Sequence, residues 1–254
     1  MNADHIQANY AQNASTYDQF ASLPLGKLEQ QLFDLSIKDC AGLKVLDLGG
    51  GTGARARDAL KAGAEAVDVV DISPEMMQLG QAQEASLGRE RIRWFHGDAS
   101  QSLDHLGLAP YDLVIANGVF DHAHNVEELD MMWRNAAAYL KPGGRVLANR
   151  NNPYSRAASS GKYGVQLGGF QPFAGGFAYR YRMLTEPVLE FESLALDAYY
   201  DGSMEVAGKY FEAFTNVRWE ETPVVRGDRE FWEEYLQDPI LYIFTATKRH
   251  ETTA

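Results

Sequence analysis

The sequence predicts an α/β fold built on one doubly wound, mostly parallel sheet. Short apolar runs alternate with longer helical patterns across the first two thirds of the chain, which is typical of repeated βα units. A glycine cluster stands between the first apolar run and its helix, in VLDLGGGTGARARDAL. Such a cluster lets the backbone turn sharply and approach a ligand at a helix N-terminus.

Residues that typically start and end helices support this order of elements. We predict strands at 44–48, 66–72, 92–97, 111–117 and 145–150, and helices near 54–63, 74–87 and 125–140. Ser73 is the expected N-cap of the second helix, with Pro74 at its first position. Pro142 and Gly143 are expected to end the third helix.

Residues 152–200 are rich in glycine, serine and aromatic residues, and we expect them to form an antiparallel cap over one end of the sheet. Alternation in FAYRYRML predicts two faces for this strand. One face carries Phe177, Tyr179, Tyr181 and Met183, and the other carries Arg180 and Arg182. Two interpretations of the aromatic face remain open, a core-facing stripe and a wall that contacts substrate.

In the last fifty residues we predict a helix in SMEVAGKYFEAF, a strand in NVRWEE, a helix in DREFWEEYLQ and a final strand in LYIFTATK. We see no internal repeat and no linker that would separate two domains. The expectation is one domain with four parts: an N-terminal helical lid (1–40), a cofactor-binding core (41–151), a substrate cap (152–200) and the C-terminal part of the sheet (201–254).

Composition narrows the classes of partner. The chain has 254 residues, a formal net charge of -12 and a single cysteine, Cys40. Nucleic-acid binding depends on clustered Lys and Arg, so we expect no nucleic-acid partner. The polar start shows no signal-peptide pattern and no segment reaches the length of a membrane span, so we expect a soluble, cytoplasmic protein without a membrane partner.

The glycine cluster by itself fits two kinds of ligand. Asp47, Gly49, Gly51 and Gly53 form the pattern D-x-G-x-G-x-G at the end of a strand. The same stretch satisfies the dinucleotide pattern G-x-G-x-x-A, with Ala54 as its last residue. The loop alone does not distinguish a dinucleotide from another ligand, so the residues near it in the predicted fold must be considered.

Three carboxylates near predicted strand ends favour one ligand. Asp47 precedes the glycines, where it would attract an amine and repel a pyrophosphate. Asp71 ends the second strand, where it can accept hydrogen bonds from two ribose hydroxyls. Asp98 follows the third strand, where it can accept from an adenine amino group. An amine, a ribose and an adenine without a phosphate describe S-adenosyl-L-methionine.

At this point the sequence resembles the class I S-adenosylmethionine-dependent methyltransferases. The matching stretches are VLDLGGGTG, VVDISPEMM, HGDAS, YDLVIANGVFDH and YLKPGGRVL, in the order of that family. The resemblance implies a Rossmann-like sheet of about seven strands whose last strand is antiparallel, and S-adenosyl-L-homocysteine as product. Four further stretches, YAQNASTYDQFASLP, ANRNNP, AYY and FWEEYLQDP, are similar to small-molecule methyltransferases of the toxoflavin-synthase type.

The resemblance also implies roles for individual residues. Gly49, Gly51 and Gly53 would line the methionine and ribose parts of the cofactor, and Asp47 would lie near the amine. Asp71 would bind the ribose, and Asn117 would lie beside the methionine part. The adenine would contact Ile72, Asp98 and Ala99.

Acceptor binding and catalysis are assigned less directly. Tyr10 and Tyr17, with Phe20, are spaced for a helix that could close over the site, and Tyr17 matches a family tyrosine. His122 is the expected base if the acceptor needs one, with His124 next, because imidazole takes up a proton near neutrality. The substrate contacts that we predict are Tyr10, Arg150, Asn151, Tyr179, Tyr181 and Tyr200.

We expect no metal, because Asp121 with Asn151 or Asn152 is only part of the ligand set that a metal-dependent methyltransferase needs. The predicted function is methyl transfer, by in-line displacement, to an O, N or S atom of a small, partly aromatic or heterocyclic metabolite of secondary metabolism. The alternatives are a non-catalytic binder of the cofactor, an adenosyl-ligand enzyme of another reaction type such as aminopropyl transfer, and an NAD-dependent oxidoreductase. A homodimer is left open.

Overall fold

The computed structural model describes residues 19–200 and 204–250. Its main sheet contains seven strands: β1 (Lys44–Leu48), β2 (Ala66–Asp71), β3 (Ile92–His96), β4 (Tyr111–Ala116), β5 (Leu140–Asn151), β9 (Phe211–Asn216) and β10 (Leu241–Lys248). Their order in the sheet is β3-β2-β1-β4-β5-β10-β9. Strands β1 to β5 pair in parallel, whereas β10 is antiparallel to both β5 and β9. The predicted Rossmann-like fold with an antiparallel last strand is confirmed.

Four longer helices connect the parallel strands or precede them: α1 (Pro24–Ile37), α2 (Ala54–Lys61), α3 (Pro74–Ser86) and α4 (Val126–Ala138). The predicted cap of α3 is confirmed, because the Ser73 hydroxyl accepts a hydrogen bond from the backbone N–H of Met76 at 3.2 Å. Asn125 caps α4 in the same way through the N–H of Glu128. Both helices therefore begin directly after the loops at the carboxyl edge of the sheet.

A second, three-stranded antiparallel sheet consists of β6 (Val165–Phe173), β7 (Gly176–Met183) and β8 (Leu189–Leu196), in that order. We call this sheet the cap. Its predicted alternation is confirmed: the aromatic face of β7 is buried, and Arg180 and Arg182 form ion pairs with Glu190 on the neighbouring strand. Short helices α5 (Arg156–Ser159) and α6 (Asp197–Tyr200) stand at the two ends of the cap.

The described residues 204–221 contradict two predictions, the helix in SMEVAGKYFEAF and the strand in NVRWEE. The expected helix is a 3-10 turn at Ala207–Lys209 followed by β9, and the expected strand at 216–221 is a 3-10 turn at Trp219–Glu221. Phe211 is fully buried against Trp133, and the backbone of β9 bonds to the open edge of β10. Tertiary packing and edge pairing outweigh local helix propensity here. The final helices are α7 (Pro223–Gly227) and α8 (Arg229–Gln237).

Across the described ranges, 19–200 and 204–250, none of the helices has the length and apolar character needed to cross a membrane. The same residues contain no group of three His, Cys, Asp or Glu side chains placed to hold a metal ion.

Candidate active site

A cavity of about 240 Å³ lies at the carboxyl edge of the parallel strands. Because the strands are parallel, the loops after β1, β2, β3 and β4 converge on this edge. Eight of the predicted site residues line the cavity: Gly49, Gly51, Asp71, Ile72, Asp98, Ala99, Asn117 and His122. Others that sequence reasoning did not assign to the site also line it, among them Ser73, Met76, Ser100, Val119, Glu128 and Met132, together with the second-choice base His124.

The glycine loop is shaped by positive φ angles. Gly49, Gly51 and Gly53 have φ of 72°, 54° and 76°, which side chains other than glycine adopt rarely. A Cβ on Gly49 would lie 2.9 Å from Val119, whereas one on Gly51 would meet only Met76, at 3.5 Å. Gly51 therefore leaves room for a ligand. Gly53 does not line the cavity, and its close neighbour is the ring of Trp94.

Asp71 ties this loop to the next strand. Its Oδ2 accepts from the N–H of Gly51 at 2.7 Å and its Oδ1 from the N–H of Ser73 at 2.8 Å. Burial raises the pKa of the Asp71 carboxyl, while the hydrogen bonds from Ser73 and Gly51 oppose that rise. Each carboxylate oxygen keeps lone-pair capacity beyond these bonds, so Asp71 can accept from two hydroxyl groups in the cavity.

The third strand ends in a turn that supplies the opposite wall. Asp98 Oδ1 accepts from the backbone N–H and the hydroxyl of Ser100, at 2.8 and 2.7 Å. The carbonyl of Ala99 accepts from the Asn135 side chain at 2.8 Å, which fixes the turn to α4. The cavity lining as a whole is mostly apolar with few polar atoms, the composition expected for a site that binds a flat aromatic ring system.

Asp47 is not among the residues that line the cavity. Its side chain is 1% exposed and its Oδ2 accepts from the N–H of Ala56 at 3.0 Å, in the first turn of α2. The carboxyl thus lies beneath the loop, where a Cβ on Gly50 would approach it to 2.7 Å. The expected direct approach to a ligand amine is not seen, because the carboxyl is already used to hold the helix N-terminus.

Burial raises the pKa of Asp47 to about 7, against the hydrogen bond from Ala56 and the charge of Arg55. A carboxyl whose pKa rises on folding stabilises the fold fully below its unfolded pKa, and that contribution is lost as pH rises through about 7. Asp47→Asn has no carboxyl at this position and should not lose this contribution. We therefore expect the difference in free energy of unfolding, variant minus wild type, to increase by up to about 4 kcal/mol from about pH 4 to pH 8. Urea denaturation of both proteins across this range measures the difference, and parallel pH profiles would contradict it.

An unpredicted buried glutamate connects α1 to the site. Glu29 Oε1 accepts from Arg55 Nη2 at 2.7 Å and from the Asn117 side chain at 3.1 Å. Arg55 in turn lies 4.3 Å above the ring of Phe33. Glu29 is the one charged residue on the buried face of this helix, and a charge among mostly apolar positions is the signal that could have identified it. Asn117 is held at the cavity wall by this contact.

The two histidines have different surroundings. Burial, with a smaller effect of nearby His124, lowers the pKa of His122 to about 4. The expected proton uptake near neutrality is therefore not supported, because a desolvated imidazole resists protonation. The ring Nδ1 of His124 lies 2.9 Å from Glu128 Oε2, which also accepts from the backbone N–H of His124.

The predicted substrate residues that the structure describes are not among the residues that line the cavity. Tyr179 and Tyr181 are buried on the cap, and Arg150 lies 5.1 Å from the ring of Tyr242. Asn151 donates to Asp121 Oδ2 at 2.8 Å. Tyr200 is buried beside Asp121, at the end of α6. Tyr10 and Tyr17 fall outside the described residues.

The residues around the cavity fit an adenosyl cofactor that has no phosphates. A positive-φ loop with open space at Gly51, a carboxylate at the end of β2 and an apolar wall with a second carboxylate at the end of β3 are the features that an amino acid, a ribose and an adenine require. None of the cavity-lining residues named above is a lysine or arginine that would balance a pyrophosphate.

Comparison with known proteins finds similarity to a methyltransferase domain over part of the chain. Residues 46–146 match a family model described as a methyltransferase domain. The chain is 34% identical over 113 residues to the demethylmenaquinone methyltransferase of Tropheryma whipplei, covering 42% of this chain and 41% of that protein. It is 35% identical over 126 residues to the squalestatin tetraketide synthase clz2 of Cochliobolus lunatus, covering 46% of this chain and 5% of that one. The chain thus spans less than half of each relative.

Solved structures share the fold over nearly the whole chain. The CcbJ methyltransferase of Streptomyces caelestis aligns with a TM-score of 0.63 at 18% identity, over 94% of this chain and 96% of that one. The N-methyltransferase NodS of Bradyrhizobium japonicum, solved with S-adenosyl-L-homocysteine, aligns with a TM-score of 0.56 at 12% identity, over 91% of each chain.

Residues 46–146 are thus similar to a methyltransferase domain, and the chain shares the Rossmann-like fold of the CcbJ methyltransferase. The residues that line the cavity fit S-adenosyl-L-methionine as the cofactor.

Proposed function

We propose that this protein transfers a methyl group to an O, N or S atom of a small, partly aromatic or heterocyclic metabolite. The observation that carries the proposal is the contact between the cap and the cofactor cavity. Strand β8 packs against the turn Phe120–His122, and His122 lines the cavity. A sheet rich in buried aromatic side chains therefore adjoins the place where a cofactor methyl group can be presented.

In methyl transfer the main contribution of the protein is to align the donor with the acceptor and to exclude water, more than to supply acid or base groups. S-adenosyl-L-methionine, when bound, would supply a sulfonium methyl group. An acceptor lone pair would attack the methyl carbon in line with the carbon–sulfur bond, and S-adenosyl-L-homocysteine would leave with the electron pair of that bond. Gly49, Gly51 and Asn117 would hold the amino-acid part, Asp71 the ribose, and Asp98 with Ala99 the adenine. Alignment of two reactants is worth effective molarities of roughly 10⁵ to 10⁸ M, which makes positioning the main contribution of these residues.

Several features support a small acceptor. The net charge of -12 disfavours a polyanionic substrate such as RNA. Two relatives are named for small-molecule chemistry, a demethylmenaquinone methyltransferase and a tetraketide synthase. We propose a role in secondary metabolism, the toxoflavin-synthase type as the nearest subgroup, and the four-part division into 1–40, 41–151, 152–200 and 201–254.

A labelling experiment tests the acceptor class. The protein is incubated with methyl-labelled S-adenosyl-L-methionine and a cell extract separated into small molecules, RNA, DNA and protein. We expect a labelled compound other than the cofactor in the small-molecule fraction, and the Asp71→Ala variant, as control, should not form it. Label found preferentially in RNA, DNA or protein would refute a small-molecule acceptor.

The alternatives give different products in the same experiment. A non-catalytic binder would retain the cofactor and label nothing. An aminopropyl transferase would form a different thioether and no methylated acceptor. Formation of S-adenosyl-L-homocysteine in step with a methylated small molecule is the result that separates the proposed function from both.

A further inference from the structure

Two buried polar atoms beside the site lack hydrogen-bond partners within the described part of the chain. They are Oδ1 of Asp121 and the hydroxyl of Tyr200. Folded proteins leave few buried polar atoms in this state, and each has a cost unless something else satisfies it. The second oxygen of Asp121 accepts from Asn151 at 2.8 Å, so one side of the carboxyl is fixed and the other is unused.

The pair lies at the border between the cofactor cavity and the cap. Asp121 belongs to the turn Phe120–His122, and its neighbours in sequence, Val119 and His122, line the cavity. Tyr200 ends α6, which follows β8 directly, and β8 packs against that same turn. The hydroxyl of Tyr200 is near enough to lower the pKa of Asp121, although the two atoms do not meet hydrogen-bonding geometry.

The electrostatics give the two atoms complementary roles. Burial raises the pKa of Asp121 to about 7, so its carboxyl can exchange a proton near neutrality. Burial and the Asp121 charge raise the pKa of Tyr200 well above its usual value, so the phenol stays protonated and can donate. A carboxylate oxygen and a hydroxyl side by side are both satisfied by a ligand group that donates one hydrogen bond and accepts another.

We propose that Asp121 and Tyr200 bind the acceptor group itself, a hydroxyl or a ring N–H, and that Asp121 removes its proton. This inference rests on the proposed function. As the bond from the acceptor O or N to the methyl carbon forms, the carbon–sulfur bond breaks and leaves its electron pair on sulfur. The acceptor proton moves to Asp121 Oδ1 and from there to solvent. Asn151 is a positioning residue that holds the carboxylate through its other oxygen.

Other groups around Asp121 set the pH at which it can work. Burial is the largest effect and raises the pKa of Asp121; Tyr200 and Asn151 lower it, Glu29 on α1 raises it, and Arg150 lowers it. Burial raises the pKa of Tyr181 on β7 and of Tyr199 on α6, and the Asp121 charge adds to both rises. Since the ionised form accepts the hydrogen bond, binding of the acceptor group should strengthen as pH rises through about 7.

Matched ligand pairs test the proposal without turnover. Phenol, indole and benzimidazole are titrated into the complex with S-adenosyl-L-homocysteine, each beside its O-methyl or N-methyl counterpart, by ligand-observed NMR. We expect at least one parent to bind about tenfold more tightly than its methylated form, the size of one hydrogen bond to a charged group. Asp121→Asn should abolish this preference and Tyr200→Phe should weaken it, whereas exposed Asp104→Asn should keep it.

The proposal is overturned if no pair shows the preference in wild type or if the preference survives in Asp121→Asn. The affinity of Asp121→Asn for S-adenosyl-L-homocysteine should stay within about twofold of wild type, which shows that the variant is folded. Should wild type fail to bind S-adenosyl-L-homocysteine, the proposed function falls. The wild-type and Asp121→Asn preferences measured without cofactor would then still decide whether this pair binds proton-donating groups.

Discussion

Replacing Asp71 with alanine is expected to weaken binding of S-adenosyl-L-homocysteine by about 100-fold or more. The carboxylate holds the N–H groups of Gly51 and Ser73, and we assign it both ribose hydroxyls. The variant loses the direct contacts and also the bond that fixes the loop at Gly51. Calorimetric titration of the variant and wild type measures the loss.

Glu65→Ala is the matched control, because Glu65 is an exposed carboxylate just before the opposite end of the same strand, β2. Its affinity for S-adenosyl-L-homocysteine should equal that of wild type. Equal affinity of Asp71→Ala and wild type would remove Asp71 from the cofactor site.

Replacing Gly80 with alanine is expected to destabilise the fold by about 2–3 kcal/mol. In an exposed helix interior the same change stabilises by about 1 kcal/mol, so the sign is opposite to what helix propensity predicts. The new Cβ would lie 2.3 Å from the ring of Trp94 and 2.5 Å from the carbonyl oxygen of Thr52. Thr52 belongs to the glycine loop, so its displacement should also reduce cofactor affinity.

Gln81→Ala serves as the comparison for Gly80→Ala, since Gln81 is the exposed next residue of α3. We expect its free energy of unfolding to stay within about 0.5 kcal/mol of wild type. A Gly80→Ala protein as stable as Gln81→Ala in urea denaturation would mean that α3 is not packed on the loop as described.

The parallel part of the fold could be predicted because its strands are buried runs separated by capped helices. Each signal, such as Ser73 before Pro74, is local in sequence. The region from 204 to 221 could not be predicted in the same way. Its conformation depends on Phe211 packing against Trp133 and on the open edge of β10, neither of which is visible in a short stretch of sequence.

The candidate site shows the same division. Asp71 and Asp98 could be predicted because each stands at or just after the end of a predicted strand, and the parallel sheet brings both to one cavity. Glu29 was missed because its partner Asn117 is 88 residues away. The position of Asp47 beneath the loop also needed the structure, because a carboxylate before a glycine loop can face either the ligand or the helix N-terminus.

The central claim is that the cavity at the end of β1, β2 and β3 holds an adenosyl cofactor without a pyrophosphate. Calorimetric titration of the whole chain with S-adenosyl-L-homocysteine, run beside NAD, tests it most directly. We predict one molecule of S-adenosyl-L-homocysteine bound per chain with micromolar affinity, and no heat from NAD. Tighter binding of NAD, or no binding of S-adenosyl-L-homocysteine, would contradict the assignment of the glycine loop and of every site built on it.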